Sequence, residues 1–139
     1  MTTRRVGETP AEPPQVADSS AWLAYLNGEP SAVAFKPVIQ FIERLIVPTI
    51  CLLEVYKTVR RQRTEREAAE VATLMQGGYV VPLDPAIALD AARVGAAHRL
   101  ATADSIVYAT ARRFGATLWT QDAHFDGLPN VRFHPKRRA

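Results

Sequence analysis

The stretch Gln15-Val16-Ala17-Asp18-Ser19-Ser20-Ala21-Trp22-Leu23 decides how the rest of the chain is read. A short strand-like segment stops at an aspartate. Two serines then open an apolar run through Trp22, Leu23 and Leu26, which Asn27-Gly28 closes. A strand followed at once by a helix is the building unit of a parallel sheet, whose neighbouring strands need a crossover between them. The segment therefore predicts a strand ending at Asp18 and a helix capped by Ser19 or Ser20.

The same alternation continues outward. A second helix is expected within 31–43, with Pro37 either near its first turn or kinking it. Leu45-Ile46-Val47-Pro48 reads as a buried strand, leading into a helix over roughly 49–62 that carries Glu54 on its opening turns. Thr64 and Glu67 have capping-box spacing, so a further helix should start there and stop at Gly77-Gly78. Tyr79 to Leu83 is a short strand or an extended connection. Asp84-Pro85 is an N-cap with proline at the first helical position, for a helix reaching about Arg99. Thr102 or Asp104 opens the next helix, and Gly115 ends it. Thr117-Leu118-Trp119-Thr120 is then a buried strand ahead of Asp122, and Val131-Arg132-Phe133 an added edge strand. The alternation predicts an α/β fold with a central, mainly parallel sheet flanked by helices on both faces.

Composition bounds the rest. At 139 residues the chain fits one domain with a real core, and 47% hydrophobic with 22% charged residues is ordinary for a globular protein. The single cysteine, Cys51, excludes a disulfide framework within one chain and suits a reducing cytoplasm. Arg4 and Arg5 lack the apolar stretch of a signal peptide. The apolar run Leu45 to Leu53 is broken by Pro48 and too short for a membrane. A net charge of +3 permits nucleic-acid binding without requiring it. Residues 1–14, with Pro10, Pro13 and Pro14, read as a disordered extension, 15–135 as the folded domain and 136–139 as a basic tail.

Ligands of an open α/β sheet bind outside the carboxyl ends of its strands. Asp18 and Asp122 follow strands, while Asp104 and Glu54 lie near helix starts, so four distant acids can meet at one rim. Carboxylates held together need a counter-charge, and a hard divalent cation is the usual one. Each acid alone also has a plain structural role: Asp104 as a cap, Asp122 as a turn former, Glu54 as a surface charge.

Taken together, the segments are more specific. Val16-Ala17-Asp18-Ser19-Ser20, Val47-Pro48-Thr49 through Leu53-Glu54-Val55, Thr102-Ala103-Asp104-Ser105-Ile106 with Tyr108-Ala109-Thr110-Ala111, and Leu118-Trp119-Thr120-Gln121-Asp122 resemble the four signature segments of PIN domains, most closely the VapC toxins of toxin–antitoxin pairs. The resemblance spans roughly residues 15–135. Its one departure is the proline-rich extension before Asp18.

The resemblance implies a PIN-like three-layer catalytic domain and a Mg²⁺- or Mn²⁺-dependent endoribonuclease. It also implies a cytoplasmic setting, a cognate VapB-like antitoxin and a homodimer. It makes Asp18, Glu54, Asp104 and Asp122 the acidic cluster, with Asp18 and Asp104 as direct metal ligands. Glu54 and Asp122 would serve a second ion or orient water, and Thr120 and Ser20 would support the acids from behind. Lys57, Arg60 and Arg61, with Arg63, follow Glu54 on its helix and either hold RNA phosphates or form a solvated basic face.

His98, His124 and His134 lack metal-ligand spacing with another His or Cys, so zinc is not expected. Trp22 and Trp119 read as core. Trp22, Leu23, Leu26, Phe35 and Phe41 exceed what one core needs and would suit an antitoxin groove or a dimer face. Two rivals stand beside this reading. A phosphatase or phosphotransfer-like domain would want a lysine near its last strand, and none lies between Lys57 and Lys136. A non-catalytic interaction module would use the acids only as caps.

Overall fold

Leu45, Ile46, Val47 and Pro48 are all buried, as an unbroken apolar run must be when a strand is covered on both faces. The computed structural model describes residues 13–137. The expectations for residues 1–12 and for the last two residues of the basic tail therefore lie outside the described part.

The chain runs β1 (Gln15–Ala17), α1 (Ser19–Leu26), α2 (Ala32–Gln40), β2 (Leu45–Pro48), α3 (Thr49–Gln62), α4 (Glu65–Met75), β3 (Tyr79–Val81), α5 (Pro85–His98), α6 (Thr102–Arg113), β4 (Thr117–Thr120) and β5 (Val131–Phe133). Short 3₁₀ turns cover Ile42–Arg44 and Ala123–Phe125. The five strands stand in the order β3-β2-β1-β4-β5, and every pair is parallel. Val16 faces Ile46 on one side and Leu118 on the other. The chain thus builds outward from β1 to β3 and crosses back to β4. With right-handed crossovers that path covers both faces with helices. Trp22, Phe35, Leu45, Met75, Leu118 and Phe125 are fully buried between the layers.

Local chemistry explains most boundaries. Thr64 and Asp84 cap α4 and α5 by accepting the amides of Glu67 and Ile87, at 3.1 and 2.8 Å. Two expectations need correction, at the α1 cap and at Trp119, and two open alternatives resolve, at α6 and at Pro37. The cap of α1 is Asp18 itself, whose carboxylate accepts the Ala21 amide at 2.9 Å; Ser19 and Ser20 are already helical. Helix α6 opens at Thr102 after Ala101, which puts Asp104 in its first turn rather than at its cap. Pro37 lies inside α2, beyond its first turn, and removes one helical amide from a helix that stops at Gln40. Trp119 is only half-buried: its indole N–H donates to Gln15 Oε1, and its ring stacks on His134 with centroids 5.6 Å apart. Trp22 and Cys51 are fully buried, and burial pushes the Cys51 thiol far up, so it stays protonated and unreactive.

Candidate metal centre

Strands β1 and β4 are neighbours whose crossovers leave in opposite directions, so the crevice at their carboxyl ends is the topological switch point of the sheet. Asp18 follows β1 directly, and Asp122 follows β4 with only Gln121 between. Residues remote in sequence are thereby held side by side: the Asp18 amide donates to the Trp119 carbonyl at 3.1 Å.

Asp18 is the buried end of the site, 5% exposed. Its Oδ1 accepts Ser20 Oγ at 2.7 Å and the Ala21 amide at 2.9 Å, and its Oδ2 accepts Thr120 Oγ1 at 2.6 Å. Desolvation nevertheless raises its pKa from 3.8 to about 6, outweighing all three donors, and the negative charge of Asp104 adds to the rise. Thr120 is fully buried and bridges the two strand ends, since its oxygen also accepts the Asp122 amide at 2.9 Å. Ser20 makes a parallel bridge by accepting the Gln121 amide at 3.0 Å. Gln121 Oε1 in turn accepts the hydroxyl of buried Ser31.

Glu54 sits on the second turn of α3, and Ser19 Oγ donates to its Oε1 at 2.7 Å. Asp104 is half-buried, and its pKa is raised by desolvation first, then by the charges of Asp122 and Glu54. Asp18 thus feels the charge of Asp104, and Asp104 those of Asp122 and Glu54.

Asp104, Asp122 and His124 offer oxygen and ring-nitrogen atoms within 4.8 Å of one another. His124 was not among the site residues expected from the sequence. Its N–H and its Nδ1 both lie 2.9 Å from Asp122 Oδ1. An acid and a histidine two positions apart, just past a strand end, were the available signal. His98 and His134 pack instead against Tyr108 and Trp119.

The basic residues on and just after α3 have surroundings of their own. Arg60 pairs with Glu65 at 3.8 Å, Arg63 donates to Asn27 Oδ1 at 2.8 Å, and Lys57 and Arg61 are exposed.

The PIN domain family matches residues 16–130. The chain belongs to that family. Solved structures agree with this PIN domain in fold. A toxin–antitoxin complex from Klebsiella pneumoniae is 18% identical with TM-score 0.72, covering 85% of this chain and 95% of that one. VapC20 of Mycobacterium tuberculosis, a toxin that cleaves the sarcin-ricin loop, is 18% identical with TM-score 0.69, covering 84% and 98%. DNA-bound VapBC from Salmonella typhimurium is 15% identical with TM-score 0.68, covering 88% and 97%. No curated protein matches the chain in sequence. Among the described residues no helix of this PIN domain is long and apolar enough to cross a membrane.

Proposed function

We propose that this PIN domain is a divalent-cation-dependent endoribonuclease, the toxin of a VapBC-type pair. The carrying observation is that Thr120 ties the Asp18 carboxylate to the Asp122 amide at the switch point, while Asp104 feels the charges of Asp122 and Glu54. The donor set suits Mg²⁺ or Mn²⁺, because carboxylate oxygens at one rim match hard cations. Asp104 and Asp122 would hold the ion with Asp18 behind them. When bound, it supplies positive charge against the scissile phosphate and acidity toward water.

The protein's own groups do the rest. Glu54, held by Ser19, orients a water and takes up its proton. Thr120 and Ser20 keep the Asp18 carboxylate fixed, so little reorganisation is needed when charge develops. Exposed Lys57 and Arg61 would meet RNA phosphates.

The partner reading rests on the surface near α2. Trp22 and Phe35 are spent on the core, but Val33 and Phe41 are 76% and 62% exposed. Ala34, Pro37, Val38, Phe41 and Trp119 line an open groove of about 590 Å³. An apolar antitoxin helix would cover it.

The test is RNA cleavage by metal-stripped protein, restored by Mg²⁺ or Mn²⁺ and blocked by the co-expressed neighbouring antitoxin. Cleavage that persists in EDTA, or in Asp122→Asn, would overturn the assignment.

A further inference from the structure

We propose that His124 is a metal ligand of this site, giving it a nitrogen donor beside Asp104 and Asp122 and a preference for Mn²⁺ over Mg²⁺. The inference rests on the metal-dependent reading above and deepens it by naming a residue that selects the ion.

The geometry comes first. Ligands of one six-coordinate ion at bond lengths near 2.1 Å stand about 3 Å apart when adjacent and about 4.2 Å apart when opposite. His124 Nδ1 and Asp122 Oδ1 are 2.9 Å apart, and all three residues place a donor within 4.8 Å of the others. The 2.9 Å separation fits two adjacent ligands of one ion, and Asp104 needs to close in by no more than about 0.6 Å to join them.

A purely structural role leaves part of this arrangement unexplained. The turn at Ala123–Phe125 is already capped by the His124 amide on Asp122 Oδ1. The ring is not needed for that bond, nor for core packing, because the side chain is 77% exposed. It is nevertheless turned back onto the carboxylate instead of into solvent.

The choice of ion follows from ligand chemistry. Imidazole is a borderline donor that favours first-row transition ions, whereas Mg²⁺ prefers oxygen and gives up its waters reluctantly. Two carboxylates with one imidazole therefore favour Mn²⁺ over Mg²⁺.

The experiment uses the full chain stripped of metal and titrated calorimetrically with Mn²⁺ or Mg²⁺ alone. Pulsed electron paramagnetic resonance is then recorded on the bound Mn²⁺. Parent protein should bind Mn²⁺ more tightly than Mg²⁺ and show coupling to a nitrogen nucleus. His124→Ala should lose about tenfold or more in Mn²⁺ affinity with little change for Mg²⁺, and the nitrogen coupling should vanish. His124→Gln keeps a polar group beside Asp122 and should lose the coupling as well, and metal-free melts of both variants check folding.

Equal loss for both ions would show that the ring only positions Asp122. Unchanged Mn²⁺ affinity, or bound Mn²⁺ without nitrogen coupling in the parent, would overturn the ligand role while leaving a metal site intact. A parent that binds neither ion would remove the metal-dependent reading along with this one.

Discussion

Thr120 Oγ1 donates to Asp18 Oδ2 at 2.6 Å, and both groups are buried. The same oxygen accepts the Asp122 amide at 2.9 Å. One hydroxyl therefore sets the spacing between the acid after β1 and the acid after β4.

Thr120→Val keeps the shape and removes the hydroxyl. Asp18 Oδ2 then loses its donor and the Asp122 amide its acceptor, and each unsatisfied buried group costs about 1–3 kcal/mol. Metal-free stability should fall by about that amount in urea denaturation, and RNA cleavage should fall with it. Thr120→Ser restores both bonds and should recover most of each. If valine is tolerated at parental activity, the bridge is not what aligns the acids.

Asp18 gives a pH signature with an unusual sign. Its pKa is higher folded, about 6, than its ordinary 3.8, so the folded protein holds the proton more tightly. The stability this confers is present below about pH 4 and is lost as pH rises through 6. A shift of this size corresponds to roughly 3 kcal/mol across that window. Other carboxylates slope the opposite way, so the measurement is the difference between parent and Asp18→Asn in EDTA. That difference should grow in favour of the variant from pH 4 to pH 6 and then level off. A flat difference would mean that Asp18 is charged in the fold at little cost.

Gly78 shows a constraint of another kind. A Cβ at this position would stand 2.7 Å from the Leu45 carbonyl oxygen and 2.9 Å from Val47 Cγ2. The first neighbour is backbone of β2 and cannot step aside without disturbing its pairing with β3. Gly78→Ala should therefore destabilise the protein by about 1–3 kcal/mol, as overpacking does, without changing which metal it binds. A thermal melt equal to the parent's would show that the β2–β3 edge yields freely.

The features legible in the sequence were the local ones. Helix α3 and the caps at Thr64 and Asp84 follow from residues within a few positions of each boundary. The strand order needs β1 to pair with β4 across a hundred residues, and nothing near Asp18 encodes that partner. Asp18 read as the end of a strand because two serines after it were also good caps; only the packed helix shows which carboxylate takes the Ala21 amide. His124 was passed over because ligand spacing was sought between histidines and cysteines, and its partners are aspartates. Trp119 read as core by size, yet its indole N–H needed Gln15 at the sheet's margin.

The sharpest separation of ligand from structural residue comes at Asp104. It lies in the first turn of α6, where a negative charge gains about 0.3–1 kcal/mol from the helix dipole. Against this stand burial and the charges of Asp122 and Glu54, and the raised pKa says that these opposing effects win. Asp104→Asn should therefore be as stable as the parent in EDTA, or slightly more stable, because the cap of α6 is Ala101 and is untouched. Adding Mn²⁺ should raise the parent's stability by mass action, about 2.7 kcal/mol at a hundredfold excess over the dissociation constant. The variant should gain little, and its RNA cleavage should drop by orders of magnitude. Melts of both proteins with and without metal, beside one cleavage assay, decide the matter. An Asp104→Asn protein that melts well below the parent in EDTA and still cuts RNA would make Asp104 a structural residue and move the centre elsewhere.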